Sequence, residues 1–179
     1  MDFAECIRAR RSVRAYTAEA VSDEEILEVV DLARWAPSWA NTQCVSYLAI
    51  RDQATKDKLA DIMSPTNPGK AAVRSAPVVV VFLARLKTAG YKKGEPVDDR
   101  AWHMFDAGLA VQTFSLAAHS LGLGTVIVGF FDYRKAAEIL GIPGGTEVVG
   151  FTPLGHAEKP TIAPKRLEAA QLISLKSRS

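Results

Sequence analysis

The chain is 179 residues long and 48% hydrophobic, enough for one domain with a substantial core, and it has no stretch long enough to span a membrane. Its 22 lysines and arginines are nearly balanced by 20 aspartates and glutamates, and a formal net charge of only +2 argues against a nucleic-acid partner. Cys6 and Cys44 are too few for a disulfide framework or a zinc site and point to a reducing cytoplasm, while residues 1–20 carry too many charges for a secretory signal.

Positive charge is instead local. Arg10, Arg11 and Arg14 crowd around Ser12 within five residues. Guanidiniums this close repel one another unless solvated or neutralised, and their planar forks match phosphate oxygens. Taken alone, these residues fit either a bound phosphate or a solvated basic face. Next, Ser22 to Glu25 reads as a capping box, and Ile26, Leu27, Val30 and Ala33 recur at helical spacing until Pro37 stops the segment. The turn Ala36 to Gln43 follows. Residues 45–51 read as a strand and 54–63 as a short helix, with 64–76 as a loose connection. Residues 77–83 hold four consecutive valines and read as a buried strand. A long helix is expected over 98–121, apolar on more than one side and rich in alanine and glycine, suited to the core or to a dimer interface. A strand over 124–128, a helix over 132–140, a strand over 147–154 and a basic tail complete the chain. No repeat or linker divides it, so residues 1–179 read as a single domain.

Several chemistries lose ground. Gly122 and Gly124 follow a helix and precede a strand, the reverse of a dinucleotide-binding turn. No phosphate-binding P-loop or nucleophile elbow is present. His103, His119 and His156 lack metal-ligand spacing, so no metal is expected. What remains is the arginine cluster, the polar turn and a second basic pair, Lys165 and Arg166.

Through RRSVRAY, RWAPSWANTQ, SLGLGTVIVGF, PLGHAEKP and APKRLE, in that order, the chain resembles the FMN-dependent nitroreductase family along essentially its whole length. The resemblance implies an α+β fold: a mixed, largely antiparallel sheet flanked by helices, in an intertwined homodimer with flavin sites at the interface. It implies that Arg10 and Ser12 bind the phosphate and ribityl side of FMN, that Arg11 fills the intervening polar position of this cofactor-binding segment, and that Arg14 approaches the pyrimidine edge. A guanidinium there stabilises the negative charge that grows near N1 and O2 on reduction. Asn67 and Lys70 would serve the same edge, unless they form an ordinary Asn-Pro turn with an exposed lysine. Lys165 and Arg166 would complete the phosphate clamp, the alternative being a solvated tail. Val128 and Gly129 would present backbone N–H groups to flavin N5 and O4, or else simply end a strand; several relatives carry glutamate where this chain has Val128.

Pro37, Ser38, Trp39 and Asn41 match the segment that reaches the partner subunit's flavin, although Trp39 alone would also suit a core. Relatives often continue Gln-Pro-Trp where this chain has Gln43-Cys44-Val45. The short connection from Arg85 to Arg100 suggests an open pocket. The implied activity is ping-pong transfer of hydride from NAD(P)H through flavin N5 to a small aromatic or quinoid acceptor, with no catalytic side chain and no nucleic-acid or membrane partner. The alternatives are a flavin-consuming or reductive dehalogenating enzyme of the same fold, or a non-catalytic protein that binds flavin or nucleic acid.

Overall fold

The four consecutive valines become the centre of the molecule because alternate strand residues point to opposite faces and both faces here are covered. In the computed structural model, which describes residues 2–176, they lie on β2 (Val78–Arg85). This strand pairs antiparallel with β1 (Val45–Ile50) on one side and β6 (Thr146–Gly155) on the other, and β6 pairs antiparallel with the short β5 (Gly124–Thr125). The sheet order is β1-β2-β6-β5. Val78, Val80 and Phe82 face a core built with α2 (Asp23–Ala33) and α5 (Trp102–Ser120). Val79 and Val81 face a second core with α3 (Gln53–Asp61), α4 (Lys70–Ser75) and α6 (Tyr133–Leu140). Helices on both faces of an antiparallel sheet give the α+β sandwich that the resemblance implied. Among the described residues, the one parallel contact is an isolated bridge between Ser12 and Thr125.

Local signals account for the helix starts. Ser22 and Glu25 form the reciprocal capping box, with the Ser22 hydroxyl accepting from the Glu25 N–H at 3.1 Å and the Glu25 carboxylate accepting from the Ser22 N–H at 2.7 Å. That backbone hydrogen bond holds the Glu25 carboxyl below its ordinary range. Asp52 and Asp132 cap α3 and α6 in the same manner. No helix among the described residues is long and apolar enough to cross a membrane.

The structure differs from the sequence expectation in six places. Helix α1 (Phe3–Ala9), capped by Asp2, precedes the arginine cluster. Residues 64–76 are not a loose connection throughout: Lys70–Ser75 forms α4, whose Ala72 and Val73 are fully buried. Tertiary burial of this small apolar patch orders a six-residue helix too short to stand alone. The Arg85 to Arg100 connection contains a hairpin, β3 (Tyr91–Lys92) with β4 (Glu95–Pro96). Helix α5 starts at Trp102, not Asp98, because the Asp98 carboxylate accepts from the Arg100 N–H at 3.0 Å and from Trp102 Nε1 at 2.8 Å, folding residues 98–101 into a preceding turn. The strand expected over 124–128 is regular only for two residues. A seventh, four-residue helix, α7 (Ala169–Leu172), lies in the exposed tail.

Two glycines place the arginine segment. Gly122, at φ +83°, ends α5 in the left-handed conformation that costs glycine least. Gly124 has no room for a Cβ, which would lie 2.7–3.0 Å from the Val13 side chain. Its hydrogen atom therefore lets Val13 lie on the chain, where the Val13 N–H donates to the Thr125 carbonyl at 2.9 Å. Gly124→Ala should cost about 1–3 kcal/mol by overpacking, measured by denaturant unfolding. An unchanged midpoint would show that Val13 yields freely.

Candidate active site

Helix α1 ends at Arg10, and the chain then runs alongside β5 through the Val13 and Ser12 contacts with Thr125. Val13 and Tyr16 pack against Ala72 and Ala76, so the arginine segment is seated on α4 and on the start of β2. Its arginines consequently stand at the β5 edge of the sheet. A cleft of about 240 Å³ is lined there by Arg10, Arg11, Ser12, Arg14, Ile162 and Arg166, with Thr161 and Pro164 completing it. Both ends of the sequence thus meet around one basic cleft. Lys165 does not line it and lies exposed on the same tail.

The three arginines differ in what they do within the chain. Arg11 Nη1 donates to the Arg8 and Arg10 carbonyls at 2.5 and 2.7 Å, neutralising the negative end of α1. One arm of its fork therefore already serves carbonyls of its own chain. Arg14 is exposed, with Nη1 3.3 Å from the Ser12 carbonyl. Arg10 is half-buried. Burial, reinforced by the charges of Arg10 and Arg11, holds the imidazole of nearby His119 below its ordinary range, so the cluster is next to a neutral ring rather than a third kind of cation.

Asn67 and Lys70 do not line the arginine cleft; they lie at the start of α4. The Asn67 side-chain oxygen accepts from the Gly69 N–H at 2.9 Å, an Asx turn that leads into α4. Lys70 Nζ is 3.4 Å from the Met63 carbonyl. The ordinary Asn-Pro turn is therefore formed: the amide oxygen is used locally, and the lysine is half-buried. Gly69 lies close to Val128, whose side chain would be 3.5 Å from a Cβ on that glycine.

Val128 is where a sequence expectation fails. Its N–H donates to the Phe151 carbonyl at 2.8 Å, and the Phe151 N–H donates back to Val128 at 3.1 Å. The residue is 3% exposed. A backbone N–H already paired to β6 is not free for a ligand, so the donor role assigned to Val128 is corrected; the adjacent Gly129 is exposed.

Pro37, Ser38, Trp39 and Asn41 do not join this cleft within one protomer. They form a turn after α2, with a 3₁₀ segment at Trp39–Asn41. Pro37 and Asn41 are exposed, and Trp39 is half-buried rather than core. A separate cavity of about 180 Å³ is lined by Arg34, Pro37, Ser38, Cys44, Tyr47 and Asp106 among others, none of which lines the arginine cleft. Three residues in this turn take left-handed backbone without being glycine: Ala40 (φ 45°), Asn41 (φ 55°) and Gln43 (φ 47°). Asparagine tolerates this region, whereas alanine is held there at a cost on the order of 1 kcal/mol or more. The Ser38 hydroxyl accepts from the Gln43 N–H at 3.0 Å and closes the turn.

The sequence reading missed Asp106, which is 1% exposed on α5. Its carboxylate oxygens lie 2.9 and 3.0 Å from the Trp39 nitrogen and accept that N–H together. The signal was present, because Asp106 is the one Asp, Glu, Lys or Arg between Arg100 and Asp132. Burial pushes the Cys44 thiol up, and the Asp106 carboxylate adds to the shift, so the thiol stays protonated and its Sγ lies 3.5 Å from Asp106 Oδ2 as a donor.

Known proteins resemble this chain in both sequence and fold. An FMN reductase using NAD(P)H from Bacillus subtilis is 29% identical over 170 residues, 85% of this chain but 66% of the relative. An NADPH-flavin oxidoreductase from Vibrio harveyi is 28% identical over 173 residues, 90% of this chain and 68% of the relative. The crystal structure of a Desulfovibrio desulfuricans protein assigned as a nitroreductase, in complex with FMN, superposes with a TM-score of 0.80 at 31% identity, covering 98% of this chain and 97% of that one. The sequence pattern of the nitroreductase family matches residues 7–156, and the chain belongs to that family.

Proposed function

We propose that the protein is an FMN-dependent NAD(P)H oxidoreductase acting on small aromatic or quinoid acceptors. The observation that carries this reading is the convergence of Arg10, Ser12, Arg14 and Arg166 on one cleft, a cationic lining that fits a phosphate monoester and the edge of a flavin. The names of the relatives, FMN reductase and NADPH-flavin oxidoreductase, and the FMN bound in the D. desulfuricans structure support the same cofactor.

Arg10 and Arg166 would hold the phosphate by charge-assisted hydrogen bonds, with the Ser12 hydroxyl beside them. Arg14 and Lys70 would place positive charge at the pyrimidine edge, and the Asn67 NH₂ group would donate there. Gly129, rather than Val128, would offer the main-chain N–H. When bound, FMN supplies hydride acceptance at N5 and onward electron transfer, the basis of a ping-pong cycle in which donor and acceptor use one face in turn. The protein's own contribution is to bind, orient and tune; solvent supplies protons. A homodimer is part of the proposal. Its support is the separation of the Pro37–Asn41 turn from the arginine cleft within one protomer, together with exposed Phe105, Met104, Phe130 and the apolar tail residues Ile162 and Leu175.

Purified protein should be yellow and should bleach on anaerobic addition of NADH or NADPH, then recolour with a quinone. A colourless protein that takes up no added FMN would overturn the reading. Within it, Arg14→Ala should lower the midpoint potential of bound flavin and slow bleaching while FMN retention changes little, because the lost charge faces the ring rather than the phosphate. Potentiometry on fully loaded variant decides this; a potential equal to that of the unmodified protein rules the role out.

A further inference from the structure

We propose that Asp106 is a positioning residue that clamps the Trp39–Cys44 turn, so that each protomer presents a preformed turn to the flavin site of the other. The proposal rests on the dimeric flavoenzyme reading above and assigns the device that makes the shared site rigid.

A carboxylate that is 1% exposed must have its lone pairs satisfied, yet no lysine, arginine or histidine pairs with Asp106 among the described residues. Its partners are one backbone N–H, that of Trp39, and one thiol, that of Cys44. These two groups sit at the two ends of the turn. Between them lie Ala40, Asn41 and Gln43, all with positive φ. Left to itself, alanine in that conformation relaxes towards extended or right-handed helical backbone. Fixing both ends removes the freedom to do so, and the Ser38 to Gln43 hydrogen bond closes the turn across its base. Cost and placement argue against a purely stabilising role, since well-packed apolar groups commonly replace buried charges without loss of stability. The clamp instead keeps exposed Ala40 and Asn41 in one conformation on the protein's surface, outside the cleft of their own chain. Preorganising a binding segment lowers the ordering cost at the moment of binding. Helix α5 is a suitable anchor because it is packed against α2 and the sheet along its length.

The test uses Asp106→Leu, with Asp106→Asn, which retains one acceptor oxygen for the Trp39 N–H, as the conservative variant. In homodimers of Asp106→Leu, FMN affinity by fluorescence titration should fall roughly tenfold and the visible circular dichroism of bound flavin should change, with partial recovery in Asp106→Asn. Hybrid dimers then locate the effect. One protomer carries Asp106→Leu, and the other carries Arg10→Ala and Arg166→Ala to weaken its own cleft. The cleft of the Asp106→Leu protomer, served by an intact turn from its neighbour, should bind FMN like the unmodified protein. Loss of affinity in that cleft equal to the loss in Asp106→Leu homodimers would show that Asp106 acts within its own chain and would overturn the proposal. So would unchanged affinity and dichroism in both homodimeric variants. If Asp106→Leu does not fold, Asp106→Asn in the same hybrid decides: recovery in the hybrid supports the clamp, and equal impairment or no impairment anywhere overturns it. Absence of FMN binding by the unmodified protein would instead defeat the flavoenzyme reading itself, and the clamp with it.

Discussion

Replacing Arg10 or Arg166 by alanine is expected to weaken FMN binding by about 1.5–3 kcal/mol, roughly ten- to hundredfold in Kd, because each substitution removes a charge-assisted hydrogen-bond donor from one cleft. The two residues are 156 positions apart in sequence but line the same cavity, one at the end of α1 and one on the C-terminal tail. Their effects should therefore be less than additive in the double variant, since both act on a single phosphate. Lys165→Ala should have a much smaller effect, because that side chain is exposed and outside the lining. Raising the salt concentration should weaken the unmodified protein's affinity and flatten the difference between it and the single variants. Fluorescence titration of FMN measures all five proteins. Equal affinity in the unmodified protein, Arg10→Ala and Arg166→Ala would exclude a shared clamp, and a large loss in Lys165→Ala alone would move the clamp to the neighbouring residue.

Phe114→Ala should destabilise the folded chain by about 3–5 kcal/mol, the range for deleting a buried aromatic side chain. Phe114 is fully buried on α5, stacked on Tyr47 with ring centroids 5.5 Å apart and edge-on to Phe82 at 5.4 Å. It joins the long helix to both β1 and the valine strand. The cavity left by its removal cannot close easily, because β1 and β2 are held in register by their ladder and α5 is braced by α2. Burial around this cluster also pushes the half-buried Tyr47 hydroxyl up to about 12. The lost stability should appear as a lowered denaturant midpoint with an unchanged slope. A loss below about 1 kcal/mol would mean that α5 can move inward to refill the space. Such movement would carry Asp106, about two helical turns away, and with it the Trp39 turn.

The sequence by itself determined the pieces whose physics is local or periodic. The capping box at Ser22 started α2 as read, and Asp132 began α6. Four adjacent valines demanded burial on both faces, which is the sandwich. Motif order along the chain identified the family, and the arginine cluster marked where a phosphate group would be attracted. Tertiary structure decided everything that depends on which distant groups meet. Burial of Ala72 and Val73 made a helix of Lys70–Ser75, whose composition alone gave a loop. Pairing with Phe151 removed the Val128 N–H from the set of available donors, a fact about β6 that the local sequence does not encode. Cleft geometry separated Arg166 from Lys165, which are chemically similar neighbours on an extended tail, and helix carbonyls claimed part of Arg11. Asp106 is the sharpest instance: its charge stood out in an apolar run, but its role follows from the burial that leaves it a turn 67 residues away as its partner. A hydrogen bond or a packed methyl acts over a few ångströms, so chain position predicts such contacts only when the residues are neighbours, and the fold alone chooses the rest.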